Sequence, residues 1–396
     1  MKIEVYSPTI RRKEMDAVLT AMVEDRIGPG EGARLLVSTA KEYLRFDYAL
    51  CVRSPAIALE LALKALNPHK GQSVAISALS PRYYTRVIED LGLSPLYCDV
   101  SLTFPCMSRE TIEQALQRRM NRLPDSPPEP QSPPDPQSTT EPQSPPDPQL
   151  PTDLQSTPDS VLCIVLHHTL GYTPDLASIS ELGLPVIEDV SQSFYGFSGG
   201  KTDAVKPETE APKELTHGLF TILGMEERDM LTAGGGALLY ANNRKDSAAL
   251  RNYGDLPGEY CMPDINAALA IVQFKEARRN AEKRAVIAQA FIQSSLRTRH
   301  KRFVQAEETE YSNFAFPLVL ETGLKDVLAY ARKKEIILES AFDNTIAGIS
   351  AGVHAGDVLG CPASYSLSLR TVLFPLYPRL RSSEIERVAK LIVTIP

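Results

Sequence analysis

Apolar and polar residues alternate along this chain with two different periods, and the period switches many times. AVLTAMVEDRI and ARLLVSTAKEYL place apolar residues three and four apart, which predicts two amphipathic helices near the start. YALCV is a short apolar run. Ser54 and Pro55 follow it and open the helix AIALELALKAL, with serine at the N-cap and proline at the first helical position. SVAISAL reads as a buried strand, PRYYTRVIEDLG as a helix and SPLYCDV as a strand. Further on, SVLCIVLHH, LPVIEDV, GLFTIL and GGALLYAN read as strands, with a short helix at ASISELG. Strands separated by helices predict an α/β fold with a mostly parallel, helix-covered sheet. Ligands of such sheets sit at the carboxyl ends of the strands.

From about residue 243 the pattern changes. SAALRNYG and the long stretch from DINAALAIVQF to FIQSSLRT are helical, then come the strand FAFPLVL and the helices KDVLAYARKKE and SSEIERVAKLIVTI. This predicts a large domain over 1–242 and a smaller α+β domain over 243–396. Residues 124–160 stand apart, because EPQSPPDPQ occurs at both 129–137 and 141–149. So many prolines remove backbone donors, and the segment offers few apolar side chains, so an acidic, disordered, Pro-rich insert within the large domain is expected.

Composition narrows the classes. The net charge of −7 supplies no basic excess to neutralise phosphates, which argues against nucleic acid as a partner. No apolar run approaches membrane-span length, and MKIEVYSPTI lacks a signal core, so a cytoplasmic protein is expected, with no membrane partner. The six cysteines form no CxxC pair and no zinc-ligand spacing, so no metal site is expected. His167 and His168 end a strand on opposite faces and cannot ligate one metal together.

Several segments, taken in order, resemble the DegT/StrS-type sugar-nucleotide aminotransferases, which have the aspartate-aminotransferase fold. They are SPTIRRKEMDAVLTAM with IGPG, RSPAIALELALKAL, SVAISALSPRYYTRVIEDLGLSPLYCDV, LPVIEDVSQSFYG, GGGALLYANN with LRNYG, YCMPDINAALAIVQF and FPLYPRLRSSEIERVAK. The resemblance implies a pyridoxal phosphate or pyridoxamine phosphate site and the amination of keto sugar nucleotides for polysaccharides. In it Asp189 would pair with the pyridinium nitrogen, and Gln192 would lie near the phenolic oxygen. Tyr83, or its neighbour Tyr84, would cover the ring face, and Ser54 would help hold the phosphate.

The same resemblance requires an imine lysine between the strand at Phe220 and the turn Gly234–Gly236, and that interval contains neither lysine nor histidine. Glu226, Glu227 or Arg228 falls at the position, and none of them can form an imine. Lys201, Lys213 and Lys245 are misplaced along the chain. Pro55 and Ala56 stand where the phosphate turn has glycine and threonine, which removes one N–H and one hydroxyl. Glu259 would set a negative charge against a phosphate, and Cys261 replaces an arginine.

Three readings follow. The first is a non-catalytic relative that binds a nucleotide sugar, a lysine-containing relative, or a partner recruited by the insert. The second is an enzyme of altered chemistry that uses pyridoxamine phosphate or no cofactor. The third is an active sugar aminotransferase. A homodimer is expected in each.

Overall fold

In the computed structural model, residues 2–121, 160–194, 218–305, 311–349 and 360–396 are described. The expected insert therefore lies outside the described residues, Ser160 excepted, as do Lys201 and Lys213.

Among the described residues, seven strands form the large sheet: β1 Tyr48–Val52, β2 Ser73–Ser77, β3 Ser94–Cys98, β4 Val161–His167, β5 Val186–Asp189, β6 Phe220–Gly224 and β7 Ala237–Ala241. Their order is β1-β7-β6-β5-β4-β2-β3. Strand β7 runs antiparallel to both of its neighbours, β1 and β6. Strands β2, β4, β5 and β6 are parallel, so their carboxyl ends share one edge. Both faces of β2, β6 and β7 are buried at every residue, which is why those segments read as apolar runs without alternation.

A second sheet holds β8 Phe316–Val319, β9 Glu339–Ser340 and β10 Thr371–Phe374, all antiparallel, in the order β8-β10-β9. The fold is therefore α/β, with a large, mostly parallel sheet and a smaller antiparallel unit. Helix Asp264–Ser295 joins the two. Its first half buries Ala267, Ala270 and Phe274 with Leu36 and Tyr240 of the large unit, and its second half buries Ile287, Ala288 and Phe291 with Phe316 and Leu391. Apolar packing also crosses the expected boundary at 242/243, because Phe303, Val319, Phe342 and Leu367 belong to the cluster built on β1, β2 and β6.

Arg284 locks the joining helix in place. The residue is 5% exposed, and its guanidinium donates to the carbonyls of Phe314 (2.8 Å) and Leu376 (2.7 Å). Burial lowers its pKa to about 10, so the group remains a cation at neutral pH. The glycine turn at 28–32 packs on the same helix. Asp264 accepts the N–H of Ala33 at 3.1 Å, and a Cβ at Gly32 would lie 2.7 Å from the Asp264 carboxyl carbon. Glycine is required there by close approach.

Candidate functional site

The carboxyl ends of β4, β5 and β6 bring His167, Asp189 and Gly224 together, since His167 pairs with Asp189 and Asp189 with Ile222 across the ladders. Asp189 is 1% exposed. Its Oδ1 accepts the Ser191 N–H at 3.0 Å and the Ser191 hydroxyl, and its Oδ2 accepts the Tyr84 hydroxyl at 2.5 Å and the Tyr83 hydroxyl at 3.4 Å. Both phenols come from the helix Tyr83–Asp90, which follows β2. A carboxylate has about four lone-pair sites, and four donors already address Asp189. Burial, then the Asp189 charge, holds both phenols well above the ordinary tyrosine value, so they remain protonated donors.

His167 packs edge-on to Tyr84, and its Nδ1 lies 3.1 Å from the Thr169 hydroxyl. Burial lowers its pKa, which favours the neutral ring. His168 turns to the other face, 2.7 Å from the Ser193 hydroxyl and 3.6 Å from Glu188. Among the described residues no cluster of three or more His, Cys, Asp or Glu could hold a metal.

The turn after β6 decides which side chain enters the site. Glu226, Glu227 and Arg228 are all exposed. Arg228 reaches the small unit, where it pairs with Glu339 at 2.6 Å and lies over the Tyr6 ring. The next residue, Asp229, is half-buried and turns inward. Its Oδ2 accepts the Glu226 N–H at 2.8 Å. A Cβ on Gly224 would lie 2.6 Å from Asp229 Oδ2, 2.7 Å from the Ser191 hydroxyl and 2.9 Å from the Pro55 ring. Asp229 therefore shares its space with the Asp189 bracket and the start of helix Pro55–Ala65. Burial, reinforced by the charges of Asp189 and Glu226, raises its pKa to about 8, so it is mostly protonated at neutral pH.

Ser54 N-caps that helix, and its Oγ accepts the Ile57 N–H at 3.3 Å. One of the few free donors at this helix start is thereby satisfied within the chain. Gln192 accepts the Leu170 N–H at 2.7 Å through its side chain and the Ser312 hydroxyl at 2.8 Å through its carbonyl, which fastens the turn 169–171. The segment holding Glu259 lies along β1, where Tyr260 accepts the Arg53 N–H at 2.8 Å, and Glu259 itself is exposed.

A pyridine ring on Asp189 needs a carboxylate oxygen open to a ring N–H, and a phosphate needs free N–H groups or cations at the helix start. Here phenols and Ser191 surround the carboxylate, and a carboxyl group with a proline ring stands by the helix start. Among the described residues, a ring on Asp189 would have to displace the two phenols.

A mostly parallel large sheet with a helix-linked small antiparallel unit is an aminotransferase-type fold. The chain belongs to the DegT/DnrJ/EryC1/StrS aminotransferase family, whose sequence model matches residues 8–122 and 228–393. The match omits the stretch with Asp189 and Gln192 and resumes at Arg228. A comparison with curated protein sequences gave no match. Among solved structures, the fold is similar to that of the aminotransferase TlmJ from Streptoalloteichus hindustanus, with TM-score 0.74 and 17% identity over 98% of this chain and 97% of that one. It is also similar to Spr1654 from Streptococcus pneumoniae, assigned as a sugar aminotransferase, in its PMP form, with TM-score 0.76 and 16% identity over 100% and 97%. A third similar structure is an aminotransferase of this family from Brucella abortus, with TM-score 0.73 and 17% identity over 96% and 94%.

Asp229 and the hydroxyl bracket are the features that sequence reasoning missed. Asp229 directly follows the three residues considered, and the charged run Glu226–Asp229 carries no signal of which side chain turns inward.

Proposed function

We propose that this chain is a family member that keeps the aminotransferase fold without transaminating, and that it acts in the cytoplasm by binding. One observation carries the reading. The interval from Phe220 to Gly236 holds no amine, and its inward-facing polar group beside Asp189 is the carboxyl of Asp229. A carboxyl cannot condense with an aldehyde. The occupied Asp189 bracket also supports it, because a cofactor ring would have to displace two phenols. The binding target proposed is a nucleotide sugar or a lysine-containing relative working in polysaccharide synthesis.

The test is a half-reaction. Purified protein incubated with pyridoxal phosphate and L-glutamate is expected to yield no pyridoxamine phosphate above a no-protein control. Stoichiometric conversion would overturn the reading.

We further propose a homodimer. Helix Arg12–Val23 exposes Met15 (51%), Leu19 (56%) and Met22 (50%) on one face, and Ile27 and Leu35 are exposed on the segments that follow. Residues 15, 19 and 22 form a helical stripe, and a stripe of this kind supports association. Sedimentation is expected to give a dimer, and Leu19→Glu is expected to shift it towards monomer by at least about tenfold in Kd. A monomeric parent would contradict this.

A further inference from the structure

A cavity of about 690 Å³ lies where the loop after β3 meets residues 301–305 and the edge of β8. That volume is within the range of small-molecule sites. Its walls are held by backbone bonds. Val304 N–H donates to the Thr103 carbonyl (2.8 Å), Lys301 and Val319 exchange two bonds, and Leu320 N–H donates to the Arg370 carbonyl (2.8 Å). Leu102, Phe303 and Val304 give it an apolar side.

The charges are one-sided. Among the described residues, Lys301, Arg302 and Arg370 line the cavity against a single carboxylate, Glu321. Glu321 is engaged by Lys301 at 3.0 Å, which leaves two guanidinium groups in excess. Arg370 also carries a buried Nε that meets no acceptor among the described residues. A buried donor without a partner is costly. Two guanidinium forks in excess match a dianion with several acceptor oxygens.

We propose that this cavity binds a small organic phosphate. The phosphate would meet Arg370 and Arg302, and an apolar ring or chain would lie against Leu102, Phe303 and Val304. The site is built from residues other than the Asp189 bracket and does not depend on whether a cofactor binds there.

The experiment titrates 1-naphthyl phosphate into the full chain and follows naphthyl fluorescence, which the absence of tryptophan leaves clear. Saturable binding is expected, with inorganic phosphate competing and neutral 1-naphthol binding at least about tenfold more weakly. Arg370→Gln is expected to weaken binding about tenfold or more, and Glu321→Gln to strengthen it. Arg302→Gln, at an exposed position on the rim, gives the same loss should Arg370→Gln fail to fold. The proposal is overturned if naphthol binds as tightly as its phosphate, or if folded Arg370→Gln and Arg302→Gln proteins bind like the parent.

Discussion

Asp229→Asn is expected to make this protein more stable at pH 8 while leaving it nearly unchanged at pH 4. The folded carboxyl holds its proton up to about pH 8, against an ordinary value of 3.8. Between those values the folded chain binds a proton that the unfolded chain has released. Stability contributed by this group is thus complete below about pH 4 and declines as pH rises through about 8. Each pH unit in the window costs up to about 1.4 kcal/mol. Partial solvent access reduces the sum, and a gain of about 2–3 kcal/mol at pH 8 is expected for the amide. Asparagine still offers an oxygen to the Glu226 N–H, so the turn is kept. Urea unfolding of both proteins at pH 4 and pH 8 measures this. An unchanged pH slope, or a variant weaker than the parent at pH 8, would place the carboxyl in an open, solvated position and remove it from the site.

Gly171→Ala is expected to destabilise the fold by about 4 kcal/mol or more, enough to leave much of the chain unfolded at 37 °C. Gly171 has φ +84, a region that L residues rarely adopt, and the preceding Leu170 has φ 56. An added Cβ would lie 2.1 Å from the Ser312 hydroxyl, 2.8 Å from Phe314 Cβ and 2.9 Å from the Gln192 carbonyl. Relief requires parting two segments that the Ser312–Gln192 bond holds together. The stacked Tyr172–Tyr311 pair beside it, with ring centroids 4.3 Å apart, would be disturbed as well. Thermal unfolding of the two proteins under identical conditions tests this, and a shift of only a degree or two would show that the loop yields easily.

Much of the architecture was legible because most strands of the large sheet are apolar-rich runs set apart from stretches of helical spacing. YALCV, SVAIS, VIED and ALLYA fold where their patterns place them, as β1, β2, β5 and β7. Asp189 was legible as a strand-end acid within LPVIEDVSQ. Less could be read where periodicity is short. Helix Pro362–Arg370 mixes serine and leucine without a clear face, and β10 is only four residues long; its place was set by pairing with β8 and β9, partners distant in sequence. Asp99 illustrates the same difficulty, because this strand-end acid caps the distant helix through the N–H groups of Ala363 (3.0 Å) and Ser364 (2.8 Å). The site was least legible where orientation decides. Sequence order cannot say that Arg228 swings out to Glu339 while Asp229 turns in, and it cannot say that two tyrosine hydroxyls end on one carboxylate.

The central claim of the proposed function is that this protein forms no stable imine with pyridoxal phosphate beside Asp189. Borohydride reduction after incubation with pyridoxal phosphate and desalting, followed by peptide mapping, addresses it most directly. The expected result is scattered, substoichiometric labelling of surface lysines, with no stable yellow imine before reduction. One lysine carrying a pyridoxyl group in a one-to-one ratio, protected from exchange in the unreduced protein, would contradict the claim.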